Sequence, residues 1–247
     1  MIEVQDLVVS RGGNTILDGC SFALQKGGIL AVLGRNGIGK TSLLATLVGT
    51  VAPDRGTCRI GGRPGYVPQL FNVPFSYSVL DIALMGRAAR IGLFGSPGKQ
   101  DYEAVRRLFA LMKISDLEDQ TFNTLSGGQR QLVMIAQALA SECDLLILDE
   151  PCSALDYKNQ SVVIDLLYSL CHDHGITIVF TTHMPQHAIE IATDALLING
   201  KAAFIHGPVD AVVTSDNLSA LYDVRIAQAN FVGSDYFTYM PVLRQDR

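Results

Sequence analysis

The chain has 247 residues, 48% of them hydrophobic and 17% charged, with a formal net charge of −5. That is apolar material for one sizeable α/β core carrying an insertion, and the acidic balance argues against nucleic acid as the main partner, because such domains usually carry a basic stripe. The five cysteines, Cys20, Cys58, Cys143, Cys152 and Cys171, are widely spaced with no Cys-x-x-Cys pair, which reads as reduced thiols in a cytosolic setting and not as a metal site.

In chain order, Glu3, Gln5 and Asp6 interrupt the N-terminus, so it is not read as a signal peptide. No apolar run reaches the roughly 18 residues of a membrane span, and work at a membrane would go through a partner. Residues 2 to 9 and 20 to 25 alternate as strands, joined by the turn-rich Arg11-Gly12-Gly13-Asn14. Arg11 closes the first strand, and a guanidinium can stack on a flat ring. Its guanidinium is read either as stacking on an adenine or as a solvated loop cation.

Residues 29 to 33 are an apolar strand that runs into Gly34-Arg35-Asn36-Gly37-Ile38-Gly39-Lys40-Thr41-Ser42. The glycines let successive backbone N–H groups face inward, the following helix adds the positive end of its dipole, and Gly34-x4-Gly39-Lys40-Thr41 matches the P-loop spacing. In such a loop the lysine reaches the β- and γ-phosphates and the hydroxyl after it holds Mg²⁺. Leu43, Leu44, Leu47 and Val48 supply the helix's buried face.

A turn at Pro53 to Gly56, a strand from Thr57 to Ile60 and a short strand from Tyr66 ending at Gln69 come next. From about Asn72 to Glu142 the periodicity is helical, with helices expected over 79–88 and 102–112 and a loop over Gly92 to Gly98. Leu125-Ser126-Gly127-Gly128-Gln129 opens another helix, with Ser126 as its N-cap and two glycines that let a phosphate approach. It brings no P-loop lysine and so makes only half of a phosphate site. Leu145 to Leu148 is a buried strand that ends in Asp149-Glu150. Neighbouring side chains of an extended chain point opposite ways, so Asp149 can serve the Mg²⁺ shell while Glu150 faces the γ-phosphate and activates a water.

Ser153 to Asp156 is read as a loop, and Val162, Val163, Leu166, Leu167 and Leu170 as the buried face of the next helix. A strand from Ile176 to Phe180 leads to Thr181-Thr182-His183, and a histidine at a strand's carboxyl edge is where an α/β fold presents chemistry. His183 and His187 have i, i+4 spacing, but no further ligand stands near enough in sequence for a metal site. His172, His174 and His206 are read as solvated loop residues. The tail shows strand-like pieces at 195–198 and 202–205 around a turn at Asn199-Gly200, a short helix from Asn217 to Tyr222, and no nameable chemistry from Asp223 to Arg247.

Taken together, Gly34 to Thr41, Gln69, Leu125 to Gln129, Leu145 to Glu150, Ser153 to Asp156 and His183 resemble the ATP-binding-cassette ATPases in kind and order. The resemblance implies a P-loop α/β fold with an antiparallel β subdomain and a helical insertion. It implies ATP and Mg²⁺ as ligands, and a head-to-tail dimer in which each nucleotide lies between one copy's P-loop and the other's signature loop. By position, Lys40, Thr41 and the loop N–H groups would bind ATP and magnesium, Gln69 would sense the γ-phosphate and serve the metal, and Asp149 would support the metal. Glu150 would be the catalytic base, Ser126 to Gln129 the signature, Asp156 a dimer contact and His183 the switch histidine. Cys152 stands where threonine is common.

The corresponding division is residues 1–71 and 143–206 as the ATP-binding core, 72–142 as a helical subdomain, and 207–247 as a tail packing on the core or on a second subunit. A narrower likeness, in Pro68 to Phe71, Pro74 to Arg87, the Gly92 to Gly95 loop and Thr214 to Leu218, is to the ATPases of metal-chelate importers that serve iron-siderophore, haem, cobalamin and molybdate uptake. It implies a separate membrane permease docking near Phe71 to Arg90, an external substrate-binding protein acting through that permease, and a place on the cytoplasmic face of the bacterial inner membrane. The competing reading is a soluble cassette ATPase of a remodelling or iron–sulfur assembly complex.

Overall fold

The computed structural model describes residues 1–69, 75–92 and 95–243. Its elements run β1 (Ile2–Arg11), β2 (Asn14–Leu24), β3 (Ile29–Gly34), α1 (Lys40–Leu47), β4 (Arg55–Ile60), β5 (Pro64–Val67), α2 (Val79–Met85), α3 (Ala88–Ile91), α4 (Lys99–Leu111) and α5 (Gly127–Ala140). They continue with β6 (Leu145–Leu148), α6 (Tyr157–His172), β7 (Thr177–Thr182), α7 (Pro185–Ile191), β8 (Asp194–Gly200), β9 (Ala203–Pro208), α8 (Val209–Val212), α9 (Ser215–Tyr222), β10 (Ile226–Asn230) and β11 (Phe237–Pro241). They make two compact units, Met1–Gly61 with the chain from Val179 onward, and Gly62–Ile178; β7 carries the chain from the second into the first. No helix of the described residues is long and apolar enough to cross a membrane.

In the first unit, β1 lies between β2 and β4 in an antiparallel sheet, with Ile2 and Val4 buried and Glu3 and Gln5 exposed, the period-two pattern of a sheet wet on one face. Every residue of β3 is buried. Such a continuous apolar run belongs to a strand covered on both faces, and β3 pairs in parallel with β8 from Leu30↔Asp194 to Gly34↔Ile198. β9 closes on β8 antiparallel. The expected turn at Asn199-Gly200 is displaced: β8 runs through Gly200 and the turn falls on Lys201 and Ala202.

His206 also departs from its reading as a solvated loop residue. It lies on β9, half-buried, with its ring 5.9 Å from that of Phe22, and burial lowers its pKa. Residues 226–241, which carried no expected element, form the β10–β11 hairpin, paired from Ile226↔Pro241 to Asn230↔Phe237.

In the second unit β5 and β6 pair in parallel, and α5 buries Leu132, Val133, Ile135, Ala136 and Leu139. α2 begins at a reciprocal cap in which Ser78 Oγ accepts from Asp81 N and the Asp81 carboxylate accepts from Ser78 N. Arg87, 3% exposed, donates to Asp101 at 3.0 Å, to the Ala140 carbonyl at 2.9 Å and to Glu142 at 2.7 Å. One cation thereby joins the end of α2 to the start of α4 and the end of α5, and a buried cation is tolerable only with such partners. The helix expected over 79–88 is α2, which stops at Met85 before α3 begins at Ala88, and the one expected over 102–112 is α4, which starts earlier, at Lys99. Val162, expected to be buried, is 43% exposed on α6. Of the expected docking segment, Phe71 to Pro74 lie outside the described residues, as do Leu70, Leu93, Phe94 and residues 244–247.

Candidate functional site

The candidate groups fall into two sets. The first unit holds Arg11, Gly34 to Ser42 and His183. The second holds Gln69, Ser126 to Gln129, Asp149, Glu150 and Asp156.

In the first set, β3 ends at Gly34, where an added Cβ would stand 2.8 Å from Ile38 Cγ2 and 3.0 Å from the Ile198 carbonyl, so no side chain fits. Gly39 has φ of 117° and caps α1 without any side-chain cap bond. Only glycine adopts that backbone at little cost, and the loop's tight closure depends on it. The Lys40 side chain is buried and Nζ donates to the carbonyls of Gly34 at 2.8 Å and Arg35 at 3.4 Å, which sets an ammonium across the mouth of a helix N-terminus. Two positive contributions, the cation and the helix dipole, thus share one small loop, a cradle suited to phosphate. Thr41 follows on α1 with an exposed side chain. Arg11 ends β1 at the two-residue turn Gly12-Gly13 and is exposed.

His183 is exposed, immediately after the last residue of β7. Thr182 Oγ1 accepts from the Met184 N–H at 3.0 Å and lies 3.2 Å from His187 Nδ1. His187 is buried, and desolvation holds its pKa below the ordinary value, with the charge of His183 adding to the effect and Glu190 opposing it.

In the second set, the β5–β6 register places Val67 opposite Leu148, and the Asp149 N–H extends the ladder to the Val67 carbonyl at 2.9 Å. Two residues beyond the matched pair, Gln69 and Glu150 come abreast, and Gln69 Nε2 donates to Glu150 Oε2 at 3.2 Å. Asp149 is 4% exposed whereas Glu150 is half-buried, so the neighbouring carboxylates do have different surroundings. Glu150 has φ of 48°, a left-handed conformation that costs a non-glycine residue on the order of 1 kcal/mol or more. Its carbonyl accepts from Ser153 N at 3.2 Å, which closes the turn that holds it there. Cys152 is buried and its thiol is pushed up to about 12 by desolvation, so it acts as a small apolar side chain.

Ser126 caps α5 in a reciprocal pair: its Oγ accepts from Gln129 N at 3.3 Å, and Gln129 Oε1 accepts from Ser126 N at 3.0 Å. The two glycines differ. Gly127 is exposed, whereas Gly128 is buried where a Cβ would stand 2.5 Å from Asn159 Oδ1. Asp156 caps α6 by accepting from Asn159 N at 2.8 Å. A cleft of about 140 Å³ is lined by Gln69, Gly127, Arg130, Glu150 and Ser153 among others, so the catalytic-base candidate and the signature loop face one space within this unit.

Two residues that the motifs alone did not mark support the loop. Arg130 donates to the carbonyls of Leu125 and Asn123, each at 3.0 Å, and Asn159 packs under Gly128. Arg130 directly follows the pentapeptide and was findable from that position. No local signal marks Asn159.

The profile of the ABC transporter family matches residues 17–153, which is more than half of the chain. The chain belongs to the ABC transporter ATP-binding family. This ABC ATPase binds and hydrolyses ATP, and the ATPase subunits of ABC importers work as dimers with a membrane permease. It is 43% identical over 233 residues to the molybdate import ATP-binding protein MolC of Haemophilus influenzae, covering 94% of this chain and 92% of the relative. It is 34% identical to an iron chelatin transport ATP-binding protein of Helicobacter pylori, covering 90% of this chain and 93% of that one. A solved structure described as a metal-chelate type ABC transporter in an inward-facing conformation superposes with a TM-score of 0.93 at 41% identity, over 98% of this chain and 97% of that one. The named relatives are transport subunits, and none speaks for a soluble remodelling complex.

Proposed function

We propose that this ABC ATPase powers uptake of a metal chelate or metal oxyanion, of the iron-siderophore, haem, cobalamin or molybdate class, through a separate membrane permease. The observation that carries this reading is the near full-length likeness to a molybdate import subunit and to a metal-chelate type transporter. In this reading an external substrate-binding protein would deliver cargo to the permease, and this chain would work on the cytoplasmic face of a bacterial inner membrane.

In the proposed mechanism the Gly34 to Ser42 loop wraps the phosphates of ATP, and Lys40 releases the Gly34 and Arg35 carbonyls to bind the β- and γ-phosphates. Arg11 lies toward the adenine. The resemblance assigns Mg²⁺ to Thr41, Gln69 and Asp149, and each of these side chains carries a hard oxygen donor of the kind that ion takes together with phosphate and water oxygens. Bound there, Mg²⁺ would neutralise charge developing on the phosphoryl oxygens. Glu150 accepts the proton of the attacking water, Gln69 orients that carboxylate, and His183 donates to a γ-phosphate oxygen. The second nucleotide wall is a partner copy's Ser126 to Gln129 helix start, with Asp156 at the contact, in a head-to-tail dimer.

The permease docks on Phe71 to Arg90. Exposed Phe75 and Tyr77, whose rings meet edge to face with centroids 6.1 Å apart, support that placement, because a contiguous exposed apolar pair is what a partner helix would cover. With residues 1–71 and 143–206 as core, 72–142 becomes the helical subdomain that carries the signature loop and nearly all of the docking segment, and 207–247 the tail.

The test is steady-state hydrolysis. Glu150→Gln removes the base but keeps size and backbone preference, so it should retain ATP affinity while turnover falls by about 10²- to 10⁴-fold. Lys40→Ala should instead weaken ATP binding itself. Full turnover in Glu150→Gln would remove Glu150 from its role, and unaltered ATP affinity in Lys40→Ala would end the phosphate-cradle assignment. Uptake of iron chelates and of molybdate, measured side by side in a deletion strain, decides the cargo.

A further inference from the structure

The region beyond residue 206 contains none of the nucleotide-binding motifs, yet it grips the segment that carries His183 at two places. At the first, Tyr222, the last residue of α9, donates its hydroxyl to the His183 carbonyl at 2.9 Å. That carbonyl belongs to the same peptide unit as the Met184 N–H, which donates to Thr182 Oγ1 at 3.0 Å. Both polar ends of the His183–Met184 peptide are therefore held, one by β7's own last residue and one by the C-terminal helix. The β7 ladder fixes the backbone up to Thr182, and the gripped peptide fixes it directly after His183. The imidazole leaves the main chain between two anchored points.

The second place is the far end of α7. Tyr236, in the β10–β11 connection, donates to Glu190, and Gln186 Nε2 donates to both the Tyr236 hydroxyl at 2.8 Å and Glu190 Oε1 at 2.6 Å. The stretch from His183 to Ile191 is thus tied at its start by residue 222 and along its length by residue 236, more than 30 residues on in the chain. One neutral hydrogen bond matters little to overall stability but a great deal to where a reacting group sits.

We propose that Tyr222 is a positioning residue for hydrolysis: through the His183 carbonyl it holds the imidazole in line with the γ-phosphate, and the C-terminal segment is the brace that makes this possible. The inference rests on the reading of His183 as the group that meets the γ-phosphate.

Tyr222→Phe removes only the hydroxyl and leaves the half-buried ring in place. It should lower kcat for ATP by roughly 3- to 10-fold, with KM for ATP and melting temperature unchanged. Tyr239→Phe deletes another hydroxyl of the same C-terminal segment, one that donates to the Val213 carbonyl at 2.8 Å away from His183, and it should keep the wild-type rate. In a His183→Ala background, Tyr222→Phe should have no further effect on kcat, since the group it positions is gone.

A wild-type kcat in Tyr222→Phe overturns the proposal. So does the same fold-loss in the His183→Ala background, which would mark a general structural effect. If His183→Ala itself turns over normally, the role of His183 falls and this inference with it. If His183→Ala is slow while Tyr222→Phe is not, only the inference fails.

Discussion

Gly127 and Gly128 stand side by side in one motif, but their surroundings assign them different work. A Cβ on Gly128 would meet Asn159 Oδ1 at 2.5 Å and Asn159 Cγ at 2.6 Å, whereas on Gly127 it would make an ordinary 3.4 Å contact with Leu155 Cδ2. The first glycine is therefore free to serve a ligand, and the second is needed for α5 to pack on α6. Gly128→Ala should destabilise the protein by about 1–3 kcal/mol through overpacking. Gly127→Ala should leave urea unfolding nearly unmoved while hydrolysis drops at least tenfold, because a methyl group now stands where phosphate approaches the helix start. Equal stabilities for the two variants would contradict this division of labour. Glu150 shows the complementary situation: its φ of 48° is unfavourable for any L residue, the Ser153 N–H on its carbonyl closes the turn that keeps it there, and the Gln69 amide holds its carboxylate.

At the scale of the element, α7 is a helix of seven residues whose buried face is an imidazole beside two apolar side chains, Ala188 and Ile191. His187 packs under the helix with Nδ1 against Thr182 Oγ1, and burial lowers its pKa. A base whose folded pKa lies below its unfolded value resists protonation only while folded. As pH falls through about 6.5, the unfolded chain takes up a proton that the folded chain refuses, and stability drops with a slope of up to about 1.4 kcal/mol per pH unit. His206 adds a parallel contribution from β9. His187→Asn, which can keep a donor near Thr182 but does not titrate, should show a shallower loss of urea stability between pH 7.5 and 5.5 than the parent, and an identical slope would rule His187 out as its source.

Much of this level was legible from local signals. The β3–loop–α1 unit, the Ser126 cap of α5 and the β6 strand before Asp149 lie where glycine spacing, a capping hydroxyl and apolar runs placed them. What escaped depends on pairing at a distance. β10 and β11 exist because they pair with each other across a connection that no short alternation announces. His206 is in a strand because β8 recruits β9. Arg87 is buried because Asp101, Ala140 and Glu142 converge on it from 14, 53 and 55 residues away. Likewise the motifs named Gln69 and Glu150 separately, but only the β5–β6 register makes them partners.

For the molecule as a whole, charge alone gives no reason to associate: each copy carries a net charge of −5, and two copies repel at long range. A head-to-tail pair must then be held by specific contacts, with nucleotide as part of the interface. In hydrolysis-deficient Glu150→Gln with Mg²⁺ and ATP at about a hundred times the dissociation constant, mass action stabilises the bound state by about 2.7 kcal/mol, on the order of 5–10 °C in melting temperature for a chain of this size. If the bound state is also a dimer, that melting temperature must climb further as protein concentration is raised, since dissociation into monomers accompanies unfolding. Without ATP the melting temperature should be independent of concentration, and in the Lys40→Ala, Glu150→Gln double variant both the ATP shift and the concentration dependence should vanish. An ATP shift that stays the same over a hundredfold range of protein concentration would leave the nucleotide site intact but remove the second copy from it, and the Ser126 to Gln129 helix start would then need another ligand.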